Sequence, residues 1–98
     1  MPKGYIVAEL TIQQRPAEFI EYRDKVFATV EAFGGRFLVR GGAPNLLEGD
    51  EPVGSTVVVI EFESQAKAME WYNSPAYQEI LPKRLRNATG RVTCSTGV

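Results

Sequence analysis

Histidine is absent from the 98 residues, and cysteine occurs once, at Cys94. The first absence removes the only side chain whose unperturbed pKa lies in the physiological range. With it go Ser-His-Asp and Cys-His nucleophile pairs, His-based zinc sites and a proximal haem histidine. A lone cysteine forms no intramolecular disulfide and builds no multi-cysteine zinc or iron–sulfur centre, so neither a metal nor a cofactor is expected. An excess of either charge is also missing: 11 basic residues face 12 acidic ones, a net charge of -1. That balance gives no electrostatic reason to expect nucleic acid or an anionic membrane as partner. The longest purely aliphatic run, residues 57–60, is far below the ~20 residues of a membrane span. Residues 1–4 lead directly into a strand pattern without the apolar stretch of a signal peptide, and a cytoplasmic location is expected. Acid–base chemistry is left to carboxylates, tyrosines, lysines and arginines.

Hydrophobic content of 44% and charged content of 23% describe a globular chain, long enough for one domain over residues 1–98. Residues 5–12 alternate with a period of two and read as a strand. After a connection at 13–15, Pro16 suits the first turn of a helix over 16–33. Its apolar stripe is Phe19, Tyr22, Val26, Val30 and Phe33, widened by Ile20 and Phe27, and Gly34-Gly35 ends it. A second strand spans 36–40, with Phe37 and Val39 on one face and Arg36, Leu38 and Arg40 on the other. Residues 41–45 form a turn or bulge, 46–48 are a candidate extension of the strand, and 49–52 are the hairpin loop. The strand at 55–62 is the most apolar and belongs in the sheet centre. Ser64 is placed to cap a helix over 65–72, and Ser74 with Pro75 to start another. Pro82 is expected to kink or divide that last helix, and a final strand covers 91–95.

This order, β-α-β-β-α-β, predicts an α+β fold: a ferredoxin-like four-stranded antiparallel sheet with the helices on one face. The other face is expected to carry apolar side chains with nothing of its own chain to cover them. A second copy packed face to face would cover it, so a homodimer through the open sheet face is expected.

A string of short motifs carries a family resemblance. They are Glu21-Tyr22-Arg23, the nine residues from Gly34 to Gly42, Leu47-Glu48-Gly49-Asp50, Glu61-Phe62, the eight residues from Trp71 to Gln78, and Ala88-Thr89-Gly90-Arg91. Together they resemble the bacterial domain-of-unknown-function family thirteen-thirty, within the dimeric α/β-barrel superfamily of antibiotic-biosynthesis-monooxygenase-like proteins. The resemblance implies a ferredoxin-like protomer and a face-to-face dimer; it supplies no function. The superfamily includes cofactor-free quinol monooxygenases, haem-degrading enzymes, lactone isomerases and ligand sensors, many with a pocket between helices and sheet. Some of those monooxygenases place a Trp and a Tyr six residues apart near the pocket, the spacing of Trp71 and Tyr77. The haem-degrading members use a histidine ligand that this chain lacks.

Seven residues are candidates for such a pocket. Trp71, Tyr72 and Tyr77 flank the helix break at Asn73-Ser74-Pro75, where aromatic walls with polar tips suit an aromatic ligand; the competing reading is that they pack the core. Tyr22 sits on the first helix's apolar stripe, with the same two readings. Arg40 either anchors an anionic ligand or pairs with Glu61 or Glu9. Glu61 is the best available general base if it faces an apolar pocket without an arginine partner. Arg84, in a basic cluster with Lys83, Arg86 and Arg91, either lies on a solvated helix face or closes over an anion. Cys94 has no group to activate it and reads as a small core residue. Three functions remain open at this point. One is a protein binding a small aromatic or anionic molecule, catalytic as a cofactor-free monooxygenase or not. Another is a non-catalytic sensor or dimeric structural module. The third is an isomerase or lyase using Glu61 or a tyrosine.

Overall fold

Alternation along the chain becomes two faces of one sheet. The computed structural model describes residues 2–13, 16–42, 44–50, 54 and 56–98. The first strand, β1 (Gly4–Ile12), buries Ile6, Ala8 and Leu10 beneath the helices and turns Tyr5, Val7 and Glu9 to the opposite face. Then come α1 (Ala17–Ala32), β2 (Arg36–Gly41), β3 (Thr56–Phe62), α2 (Gln65–Tyr72), α3 (Pro75–Leu85) and β4 (Ala88–Thr96). The strands form one antiparallel sheet in the order β2-β3-β1-β4, with β3 and β1 inside as the sequence leads one to expect. Among the described residues, no helix is long and apolar enough to cross a membrane.

Local chemistry sets the boundaries. α1 ends in a Schellman motif: the Gly35 amide donates to the Val30 carbonyl (3.0 Å) and the Gly34 amide to Glu31 (3.0 Å). Gly34 supplies the left-handed conformation at φ 75°, which costs glycine nothing sterically. The Ser64 hydroxyl accepts from the Lys67 amide (3.1 Å) and caps α2. Ser74 accepts from the Tyr77 amide (3.3 Å) and donates to the Trp71 carbonyl (2.7 Å), joining α3 to α2 with Pro75 in the first turn.

Some expectations are corrected. Pro82 does not divide α3, which continues to Leu85; the one amide a proline withholds leaves the Gln78 carbonyl without its helical donor, and Gln78 is exposed. Residues 46–48 form no strand, and Leu47 stands 90% exposed. The last strand begins three residues earlier than the pattern suggests, with Gly90 paired to Leu10 at φ 136°. A side chain at Gly90 would meet the Glu9 carbonyl oxygen. Ile20 and Phe27 do not join the buried stripe: both are exposed, and Phe27 stacks on Phe37 at an interplanar angle of 11°. Gln14 and Arg15 of the first connection, Ala43 of the turn, Glu51 and Pro52 of the hairpin loop, and Ser55 of the third strand lie outside the described residues.

α1 packs chiefly on α3, and a polar clasp ties the two. Glu18 accepts from Arg86 Nε (3.0 Å) and Asn87 Nδ2 (2.9 Å), while Glu21 pairs with Lys83 and Lys25 at 3.1 Å each. The Arg86 guanidinium, helped by Asn87, pulls the Glu18 carboxyl from its ordinary 4.5 down to about 2. A depressed folded-state pKa stabilises the fold above the unfolded value, and the contribution is lost as pH falls through the folded one. Between pH 4.5 and 2, then, the melting temperature of the wild type is expected to fall more steeply than that of Glu18→Gln. Equal slopes in scanning calorimetry would refute the clasp's role.

The open face is less apolar than the sequence pattern suggests. Val7, Val57 and Val59 run across its middle, but two ion pairs flank them. Arg36 Nε donates to Glu61 (2.9 Å) and Arg91 Nε to Glu9 (3.1 Å).

Candidate functional site

Because α1 leans on α3, a gap opens between it and the sheet. A cavity of about 440 Å3 fills it, within the roughly 300–1,000 Å3 typical of small-molecule sites. Its floor is the buried face of β1 with Val58 and Ile60 of β3, and its roof is Phe19, Tyr22 and Val26 of α1. Among the described residues, three arginines, Arg23, Arg40 and Arg84, line it, and no acidic side chain does.

Arg84 is the innermost of the three, 6% exposed. Two turns of α3 separate it from Tyr77, so it lies on the helix face that also buries Ile80 and Leu81. Among the described residues no carboxylate pairs with it. Its neighbours are the phenols of Tyr22 and Tyr77, whose oxygens stand 3.0 Å apart. Burial by itself pushes the guanidinium toward neutrality, but the Tyr77 and Tyr22 oxygens outweigh that, and it stays charged. Burial, with the Tyr77 phenol beside it, raises the Tyr22 phenol well above its ordinary value. The inner end of the cavity is therefore a fixed cation flanked by two hydroxyls in an apolar enclosure, a receptor for an oxyanion.

Arg40 reaches the cavity through an irregularity in β2. Phe37 pairs with Ile60 but Val39 with Val59, leaving Leu38 as an inserted residue. Side chains on a strand alternate faces, so one extra residue reverses every face beyond it. Arg40 consequently pairs with Val58 and shares the cavity side with Phe37, while Val39 shares the open face with Arg36. The alternation expected from sequence had these two exchanged. Neither expected partner holds Arg40, since Glu61 pairs with Arg36 and Glu9 with Arg91. Its guanidinium carbon instead lies 4.8 Å from the Phe37 ring centroid, and Nη2 donates to the Arg23 carbonyl at 3.4 Å.

The remaining candidates divide. Tyr77 and Trp71 both line the cavity, but Trp71 is chiefly core. It is 2% exposed, its ring centroid is 4.2 Å from that of Tyr77, and its Nε1 donates to the Thr29 hydroxyl (3.0 Å). Tyr72 packs its ring 5.5 Å from Tyr77 and does not line the cavity. Glu61 is on the opposite face of the sheet, because it pairs with Tyr5 and Arg36 in register. It accepts from Arg36 and from the Tyr5 hydroxyl (3.0 Å), and Arg36 foremost holds its carboxyl below the ordinary value. A carboxylate so held is a poor base, and it is out of reach of the cavity. Cys94, partly buried, has its thiol raised by burial. Arg23 is the lining residue that sequence reasoning passed over; its position four after Phe19 and three before Val26 puts it on the apolar stripe of α1.

Solved structures share this architecture. A protein of unknown function from Rhodopseudomonas palustris, RPA0582, superposes with a TM-score of 0.76 at 19% identity, covering 99% of this chain and 83% of that one. SnoaB from Streptomyces nogalater, a cofactor-independent oxygenase, gives 0.60 at 16% identity over 100% and 95%. A Caulobacter crescentus protein provisionally assigned as an antibiotic biosynthesis monooxygenase gives 0.64 at 18%, over 97% and 87%. At such identities the likeness is one of fold, α+β and ferredoxin-like. No curated protein matches the chain's sequence. The profile of the family described as a domain of unknown function, DUF1330, does match, over residues 3–98, and the chain belongs to that family.

Proposed function

We propose that the cavity binds a small, flat, largely apolar molecule through an oxyanion held by Arg84 between Tyr22 and Tyr77. The observation that carries this reading is a buried guanidinium facing a cavity with no carboxylate beside it among the described residues. A buried charge paired only with neutral phenols is still costly, and an anionic ligand would complete its pairing. The same geometry suits a cofactor-free oxygenase, the activity of the structurally similar SnoaB. Beside Arg84 a bound phenol or enol ionises more readily, its proton passing to solvent water at the cavity mouth, and the resulting phenolate or enolate is electron-rich enough to react with dioxygen. Among the described residues no carboxylate lines the cavity and the Tyr22 phenol is raised, so an isomerase or lyase would have to use a tyrosine as its proton carrier.

2-Naphthoate is a suitable probe. At a hundredfold excess over Kd it is expected to stabilise the fold by roughly 2.7 kcal/mol, about ten degrees or more in Tm for a domain of this size. Neutral 2-naphthamide should do far less. If neither naphthoate nor any other aromatic acid moves Tm, the reading fails. Oxygen uptake with 1,4-dihydroxynaphthalene above the protein-free rate would favour the oxygenase over a binding module.

The open sheet face favours a homodimer as part of the same reading. The half-exposed valines Val7, Val57 and Val59 have no covering layer among the described residues, and Val39 beside them is 43% exposed. Light scattering should give twice the 10.9 kDa of one chain; a mass of one chain at micromolar concentration sinks it.

A further inference from the structure

We infer that the natural ligand carries a second anionic group at its far end, held at the cavity mouth by Arg23 and Arg40. This rests on the proposed binding of an oxyanion at Arg84 and specifies the substrate class as an elongated dianion, such as an aromatic dicarboxylate.

Arg23 and Arg40 come from different elements, α1 and β2, and both are exposed where the cavity meets solvent. Among the described residues neither has a carboxylate partner. Arg40 is nonetheless drawn to Arg23, donating to its carbonyl and lying over Phe37. Both side chains therefore start from the same rim of the cavity, and an anion bound there would draw on both charges. The inserted Leu38 strengthens the case. A regular β2 would pair Arg40 with Val57 and send it to the open face, beside Arg36 and Glu61; the bulge aims it into the cavity instead. Bulges commonly re-aim a side chain next to a functional site.

Geometry sets the length of the ligand. Arg84 belongs to α3, which packs on α1 and β4, whereas Arg40 is on β2 at the other edge of the sheet. Neighbouring strands lie about 4.8 Å apart, so two to three strand spacings, roughly 10–14 Å, separate the two ends before the long arginine side chains close the gap. A rigid two-ring molecule with an anionic group at each end spans that distance.

Isothermal titration with naphthalene-2,6-dicarboxylate and with 2-naphthoate tests this. The wild type should bind the dicarboxylate at least tenfold more tightly at low salt, with the advantage shrinking as salt screens the exposed pair. In the double variant Arg23→Gln/Arg40→Gln the ratio of the two affinities should fall to about one, with the melting temperature confirming that the fold is intact. If 2-naphthoate binds but the dicarboxylate binds no more tightly, the second anion site is overturned while the Arg84 site stands. A tenfold ratio that survives in the double variant overturns it too. If neither probe binds, the pocket reading falls and takes this inference with it.

Discussion

In Arg84→Met the stabilisation by 2-naphthoate is expected to vanish, while the ligand-free variant melts at or above the wild-type temperature. Both halves follow from one feature, a buried guanidinium whose electrostatic partners among the described residues are the phenols of Tyr22 and Tyr77. Desolvation of a charge costs several kcal/mol, and replacing buried charges with apolar side chains of similar size is often neutral or stabilising by about 1–4 kcal/mol. Methionine matches the stem of arginine and adapts to irregular space. Tyr22 and Tyr77 keep their mutual hydrogen bond at 3.0 Å, so the substitution leaves no buried hydroxyl stranded. Binding behaves oppositely. Removing one partner of a buried charge pair costs about 2–5 kcal/mol, on the order of 30-fold to several thousandfold in affinity. A gain in stability coupled to a loss of binding is the signature of a residue kept for function. A variant that still responds to 2-naphthoate, or that melts well below wild type without ligand, would show Arg84 to be structural.

Trp71→Ala is expected to be the most destabilising substitution in the site region. The indole lies 5.5 Å from Phe62 and 4.2 Å from Tyr77, centroid to centroid, and buried Trp-to-Ala changes cost about 3–5 kcal/mol. For about a hundred residues each kcal/mol moves Tm by roughly 4–8 °C, so a fall of at least about 12 °C should appear in calorimetry. Trp71→Phe separates packing from chemistry. It keeps a ring and loses only the N–H, while the Thr29 hydroxyl keeps its own bond to the Val26 carbonyl at 2.7 Å. The phenylalanine variant should therefore retain 2-naphthoate binding with a much smaller drop in Tm. Loss of binding with Tm unchanged would make the indole N–H a ligand-contacting group and refute its assignment to the core.

The parts of the structure legible in sequence are those written in local chemistry. Ser64, Ser74 with Pro75, and Gly34 mark helix ends because each satisfies a backbone requirement within a few residues. Faces were harder. In β3 both alternating sets are apolar, Val58 and Ile60 on one side and Val57 and Val59 on the other. Only the company of its cross-strand neighbours reveals which side holds Glu61. The bulge was invisible for a similar reason: Phe37, Leu38 and Val39 form an unbroken apolar run, and no glycine or proline marks the insertion. Arg84 was half legible. Its charged neighbours Lys83 and Arg86 suggest a solvated face, yet its spacing from Tyr77, Ile80 and Leu81 places it on the buried one. Spacing was the better guide than company.

The single extra residue in β2 sets a parity. With it, the cation at position 40 faces the cavity; without it, the same arginine would belong to the open face of the sheet. Insertion or deletion of one codon between Arg36 and Arg40 would thus trade a cavity-lining side chain for one on the open face, leaving the strand's length almost unchanged. A substitution acts on one side chain at a time, whereas this position exchanges the roles of several at once. A one-residue step of this kind would change in the same event which side chains face the cavity and which face the open side of the sheet.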